Sequence, residues 1–236
     1  MQNLTLLALD TSTEACSVAL FHRGEKTHIN ELAQRTHTKR ILPMIDEILV
    51  NSGLGLNQVD ALAFGRGPGS FTGVRVGAGI AQGLTFGADL PVIPISNLTA
   101  MAQAAFELHQ AENVVAAIDA RMNEVYFSQL VREKVRSDFA EFFQWREIIS
   151  EQVCSPELAI KQLQNDNAFR VGTGWAAYSQ FTEKNLTGSD IELPNALYML
   201  ELAQVEYLQK HTISALEIEP IYLRNEVTWK KLPGRE

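Results

Sequence analysis

The amino-acid sequence predicts a two-lobed α/β protein, each lobe built on a mixed β-sheet flanked by helices. Three observations predict it. Three strand patterns follow one another closely at the start of the chain. Strand and helix patterns then alternate, which argues for a largely parallel continuation of the sheet. The opening pattern recurs in the second half, as a duplicated fold requires. The 236 residues suffice for one large domain or two small ones, and 46% hydrophobic with 20% charged residues is ordinary globular composition.

Each element has its own warrant. Residues 4–9 are apolar and end in Asp10-Thr11-Ser12-Thr13; 16–21 and 27–32 follow across tight turns, one of them Arg23-Gly24. Such spacing predicts an antiparallel meander. Residues 38–51 carry Ile41, Leu42, Met44, Ile45, Ile48 and Leu49 at a period near 3.6, a helix with a broad apolar face that Ser52-Gly53 ends. Next come a strand at 59–64, a glycine turn, a helix at 71–87, a strand at 91–95 and a helix at 97–109. Residues 114–118 then end in Asp119 and lead to a strand at 124–130, repeating the Asp10 pattern. The lobes are expected at 1–108 and 109–236. Residues 138–145, with Phe139, Phe142, Phe143 and Trp145, read as core under a loop or helix. Pro156 opens one further helix and Pro194 another, to about Lys210, with a small glycine turn at 171–175 between them.

The least ordinary stretch is Gly65-Arg66-Gly67-Pro68-Gly69-Ser70-Phe71-Thr72-Gly73-Val74-Arg75. A strand, a glycine turn and a helix start bring free N–H groups to one point, which favours an anion. The residues fit neither the P-loop nor the dinucleotide fingerprint. A tight turn that lets a glycine-rich helix pack closely is the competing reading. Asp10 and Asp119, each ending a strand, would suit a metal–nucleotide cleft. Equally, each caps its own turn.

Net charge is -8, so the chain is not expected to grip RNA alone. The two cysteines, Cys16 and Cys154, form no metal or redox motif, and the start of the chain has no basic leader. A cytoplasmic protein with no membrane span is expected. The tail holds Arg224, Lys230, Lys231 and Arg235, either a solvated face or a docking segment.

Laid out in this way, the chain resembles the TsaB family, formerly called YeaZ, over nearly its whole length. The likeness rests on Leu9-Asp10-Thr11-Ser12, on Gly67 to Arg75, on Asp119-Ala120-Arg121 with Glu124-Val125-Tyr126, and on Pro220-Ile221-Tyr222-Leu223-Arg224. The resemblance implies an actin-like (ASKHA) duplicated ribonuclease-H-type fold. It implies a part in forming N6-threonylcarbamoyladenosine beside the tRNA anticodon, through pairing with a homologous catalytic subunit, TsaD, and work with an ATPase, TsaE. A homodimer when the chain is alone, and contact with tRNA only through the complex, are further expectations.

The sequence departs from the catalytic homologue at one place. That relative carries His-x-x-x-His on a helix, and two imidazoles at i, i+4 hold a metal on one face. Asn97 and Met101 stand there in this chain, and an amide and a thioether are poor replacements. No metal site and no catalytic residue are therefore expected, and no cofactor is required. Weak ATP or ADP binding is left to a vestigial cleft of Asp10, Thr11, Ser12, Gly67, Gly69, Ser70, Asp119 and Arg121. The dimer surface is expected on the two helices, through Ile41, Met44, Ile45 and Ile48 of one and Arg75, Val76, Gly79 and Gly83 of the other. Rows of glycine let a second backbone approach. The main alternative is an active nucleotide-dependent phosphotransferase or ATPase of the same fold. A metallopeptidase lacks its imidazole pair, and a dinucleotide-binding domain conflicts with the opening meander.

Overall fold

A computed structural model of the chain describes residues 4–33, 36–136, 141–163 and 167–224. In the first lobe β1 (Thr5–Asp10), β2 (Ala15–His22) and β3 (Glu25–Leu32) form the predicted antiparallel meander. Helix α1 (His37–Asn51) leads to β4 (Ala61–Gly67), which lies parallel to β1. Helix α2 (Phe71–Ala88) then leads to β5 (Val92–Ser96), parallel to β4, so the sheet order is β3-β2-β1-β4-β5. Every residue of β1 is buried, as suits a central strand covered on both faces. Strand β3 alternates between exposed and half-buried positions, and its Glu25, Lys26 and Glu31 guard the sheet edge.

Helix α3 (Asn97–His109) passes to the second lobe. There β6 (Asn113–Asp119), β7 (Val125–Arg136) and β8 (Glu141–Cys154) form a second antiparallel meander. After α4 (Pro156–Gln162), strand β9 (Phe169–Val171) pairs parallel to β6, giving the order β8-β7-β6-β9. This is the β3-β2-β1-β4 arrangement again, and Asp10 and Asp119 end the equivalent strands. The duplication read from the sequence is the organising fact of the fold.

Two short helices, α5 (Gly174–Ala177) and α6 (Ser179–Thr182), precede α7 (Ala196–Leu208). Helix α7 does not stay with the second lobe. Its Ala196, Met199, Leu200 and Ala203 pack on Leu6, Ala8, Ala61 and Ile93 of the first sheet. Farther on, Ile218 joins the other face of that sheet, among Leu7, Val18 and Phe64. The two sheets lie within 1–108 and 109–236, while α7 and Ile218, later in the chain, pack on the first of them. An apolar helix after the second sheet carries no mark of which sheet it will cover.

The expectation for 138–145 is corrected from residue 141 onward; positions 138–140 lie outside the described residues. Phe142, Phe143 and Trp145 belong to β8. The Arg132 guanidinium of β7 sits 3.5 Å from the Phe106 ring and 3.7 Å from the Phe143 ring, and Trp145 Nε1 donates to Gln103 Oε1 at 2.9 Å. The aromatic cluster packs this hairpin against α3 through a cation held between two rings.

Candidate functional site

The glycine stretch folds against the turn after β1. Ser70 N–H donates to Ser12 O at 2.7 Å, Gly73 N–H to Ser70 Oγ at 3.0 Å, and Gly67 N–H to Asn97 Oδ1 at 3.3 Å. A Cβ on Gly73 would lie 2.2 Å from Thr11 O, and one on Gly69 would lie 2.5 Å from Ser12 O. Three of the N–H groups that suggested an anion cradle therefore serve chain packing, and α2 starts hard against Thr11 and Ser12.

Beneath this contact lies Asp10, 1% exposed. Its carboxyl accepts from Ser12 N–H at 3.2 Å, from Ser12 Oγ at 2.9 Å and from Asn97 Nδ2 at 3.2 Å. Asn97 Nδ2 also donates to Ser12 Oγ. A Cβ on Gly65 would fall 1.9 Å from Asp10 Oδ2, so only glycine fits under the carboxyl. Burial raises the Asp10 pKa to about 7, and the bonds from Ser12 and Asn97 offset part of that rise.

Asp119 has different surroundings. Its Oδ1 accepts from Tyr178 OH at 2.6 Å and from Arg121 N–H at 2.8 Å, while Oδ2 pairs with Arg121 Nη1 at 3.0 Å. Burial and the neighbouring carboxylate push the Tyr178 phenol up to about 12. Arg121 reaches toward Glu14 of the first lobe at 3.8 Å. Between the lobes is a cleft of about 660 Å³, lined by Ser12, Glu14, Ser70, Phe71, Asp119 and Arg121 among others. A neighbouring cavity of about 540 Å³ lies between Thr13, His37, Thr38, Thr72 and Val76.

The structure brings Ser12, Gly69, Ser70, Asp119 and Arg121 to one cleft and leaves Asp10 sealed behind Ser12. Thr11 is buried, with its hydroxyl donating to Gly73 O at 2.8 Å. Asn97 is spent on the Asp10 network, and Met101 is core between the lobes, packed with Leu98, Val114 and Ile118. An engaged amide and a buried thioether do not suit a metal. Among the described residues no group of three or more His, Cys, Asp or Glu side chains could hold one.

Four of the expected dimer contacts are corrected. Ile41, Met44, Ile45 and Ile48 are 0–4% exposed in the first core, with Cys16, Val18 and Leu20. The apolar arc of α1 is consumed by its own sheet, and what remains outside is Leu42 and Val50. Periodicity marks an apolar face but not what it meets. The residues on α2 fare differently. Arg75 is exposed, with its guanidinium 3.3 Å from the Phe71 ring centroid, and Val76 is half-buried. Gly73 and Gly77 pack inward on Thr11, whereas a Cβ on Gly79, Gly83 or Gly87 would meet nothing within 4 Å. The two glycine rows of one helix thus have separate uses.

The model of a family described as "TsaD: tRNA N6-adenosine threonylcarbamoyltransferase" matches residues 26–231. The tRNA threonylcarbamoyladenosine biosynthesis protein TsaB of Haemophilus influenzae is 96% identical over 236 residues, covering 100% of both chains. The chain belongs to the TsaB family. The TsaB of Escherichia coli is 45% identical, covering 99% of this chain and 100% of its own. The solved structure of YeaZ from Pseudomonas aeruginosa superposes with a TM-score of 0.80 at 40% identity, covering 93% of this chain and 100% of that one. A tRNA N6-adenosine threonylcarbamoyltransferase of Polynucleobacter asymbioticus shares 43% identity over 77 residues, 33% of this chain and 22% of that protein. This TsaB-family chain therefore has the actin-like fold and takes part in forming threonylcarbamoyladenosine in tRNA. Among the described residues no helix is long and apolar enough to cross a membrane.

Sequence reasoning missed Tyr178, which stands in a stretch without a motif, and nothing local marks its bond to Asp119.

Proposed function

We propose that the chain is a non-catalytic subunit in threonylcarbamoyladenosine formation, pairing with a metal-bearing TsaD-like homologue and supporting its transfer reaction. One observation carries this reading. The place of the first metal-ligating imidazole is taken by Asn97, whose amide is tied to Asp10, Ser12 and Gly67. The amide nitrogen has no lone pair to offer, and an oxygen already accepting from Gly67 is a poor replacement for an imidazole. Asp10 is sealed and Asp119 is bound by Arg121 and Tyr178, which speaks against the phosphotransferase alternative. Weak ATP or ADP binding in the cleft, without turnover, fits the same geometry.

The partner surface is the open side of α2. Gly79, Gly83 and Gly87 bear no side chain there, and Phe86 beside them is 70% exposed. A helix from a partner can approach such a row to backbone contact. In isolation a second copy would use the same patch. A TsaE-like ATPase is a further partner, tRNA is met only through the complex, and the compartment is the cytoplasm.

The test is a reconstituted threonylcarbamoylation assay with tRNA and threonylcarbamoyl-adenylate. The chain alone should give no product, and the homologue with the ATPase should depend strongly on its addition. Product from the chain alone would overturn the reading.

A further inference from the structure

Cleft proteins built from two lobes commonly close by a hinge when a ligand enters. Besides the apolar core around Met101 and the approach of Arg121 to Glu14, two sets of polar contacts among the described residues join the lobes at separate places. The first centres on Arg66, at the end of β4. Its Nη2 donates to Glu151 Oε2 of β8 at 3.0 Å, and Ser96 Oγ, at the end of β5, donates to the other oxygen of the same carboxylate. Glu151 is 8% exposed and Arg66 20%. Arg66 Nη1 is buried without a partner among the described residues, so the pair carries an uncompensated desolvation cost. A pair retained at a cost is better read as fixing geometry than as adding stability.

The second set is the segment 218–224. Ile218 is anchored in the first core, and Ile221 N–H donates to Arg66 O at 2.9 Å. Tyr222 faces the Arg75 guanidinium at 4.8 Å. Arg224 then crosses to the second lobe, pairing with Glu124 and donating to Ala120 O at 3.1 Å. The turn it grips holds Arg121, Met122 and Asn123 with φ of 61°, 58° and 59°, three successive left-handed residues without a glycine. Such a turn persists only where its surroundings hold it. Arg224 supplies that hold and so sets where Arg121 stands at the cleft mouth. Arg66 belongs to both sets, through its side chain in one and its carbonyl in the other.

We infer that the Arg66–Glu151–Ser96 cluster and the 218–224 strap are two pins that keep the lobes at one opening, making the cleft a rigid groove that does not close on a bound nucleotide. The inference goes beyond the subunit role and does not rest on it, because it is tested on the chain alone. Arg66 and Arg224 are positioning residues within it.

Spin labels at Lys39→Cys on α1 and Lys161→Cys on α4, both exposed, report the distance between the lobes. The native Cys16 and Cys154 are buried and their thiols are pushed up to about 11, so they compete little for label. The otherwise unaltered chain, diluted into an excess of unlabelled chain so that labels on a second copy do not contribute, should give one narrow distance distribution that Mg²⁺ with ADP leaves in place. The Arg66→Ala/Arg224→Ala variant should give a roughly twofold wider distribution with a longer mean, as expected of a freed hinge. If that variant does not fold, Glu151→Gln, which keeps the side-chain volume, and Arg224→Gln, which keeps a polar side chain, are read in the same way. A narrow, unmoved distribution in the folded pin variants overturns the inference. So does a clear shift of the unaltered pair on adding Mg²⁺ with ADP.

Discussion

Asp10 and Asp119 end equivalent strands of two copies of one topology, yet they have opposite surroundings. Asp10 is buried beneath the α2 start, against Gly65, Ser12 and Asn97. Asp119 opens on the cleft and is neutralised by Arg121, which is 77% exposed. The difference lies in what covers each strand end. In the first lobe a long helix begins on the turn and excludes water. In the second, the short α5 and α6 leave the turn at a cleft. The same carboxylate is thus a sealed core group in one half and a cleft-side ion-pair partner in the other.

The comparison breaks most sharply at Gly65. A methyl group there would need the space Asp10 occupies, and neither the central strand nor the carboxyl can retreat. Gly65→Ala should lose at least about 3 kcal/mol in urea denaturation, by the combined cost of overpacking and a displaced buried polar network. A loss near zero would show that the site is looser than drawn.

A second effect is read at Asp10 by pH. The Asp10 pKa rises from 3.8 unfolded to about 7 folded, so the native state holds a proton that the unfolded chain has released between those values. Its contribution to stability is fully present below about pH 4 and is lost as pH rises through about 7. Relative to Asp10→Asn, the unaltered chain should lose on the order of 4 kcal/mol across that window. Denaturation series of both proteins between pH 4 and pH 8 check this, and parallel curves would show that Asp10 ionises as it does in water. Smaller is Tyr178→Phe at the other carboxylate. It removes the bond to Asp119 and should cost about 1 kcal/mol in urea denaturation. A loss near zero would show that the phenol adds nothing to the pairing of Asp119 with Arg121.

These residues also mark how far the sequence could be read. The meander, the repeat and the cleft loops were legible because each leaves a local pattern: alternating strands, an Asp at a strand end, glycines at a turn. Asn97 stood out in the sequence where the resemblance implies an imidazole, but its bond to Asp10 joins positions far apart in the chain. The mistaken outward placing of Ile41, Met44, Ile45 and Ile48 has the same origin. A helical stripe is one-dimensional information, and only the sheet it covers shows how much of it is used. Glu151 and Arg224 act across the lobes through single long side chains, which leave no periodicity at all.

The two glycine rows of α2 give the smallest effect on the monomer and the most selective one on assembly. Gly73 and Gly77 face Thr11, whereas Gly79 faces open space. Gly79→Ala replaces a poor helix former by the best one, in room that is already free. The isolated monomer should therefore gain up to about 1 kcal/mol, read by thermal or urea unfolding of dilute protein. The added methyl stands where a partner helix would approach, so the same change should weaken pairing with the metal-bearing homologue in sedimentation. Gly77→Ala should do the reverse, costing stability through its 2.9 Å approach to Thr11 Oγ1 while leaving the outer face as it is. If Gly79→Ala stabilised the monomer and left pairing untouched, the open row would not be the partner surface. The interface would then have to lie off α2.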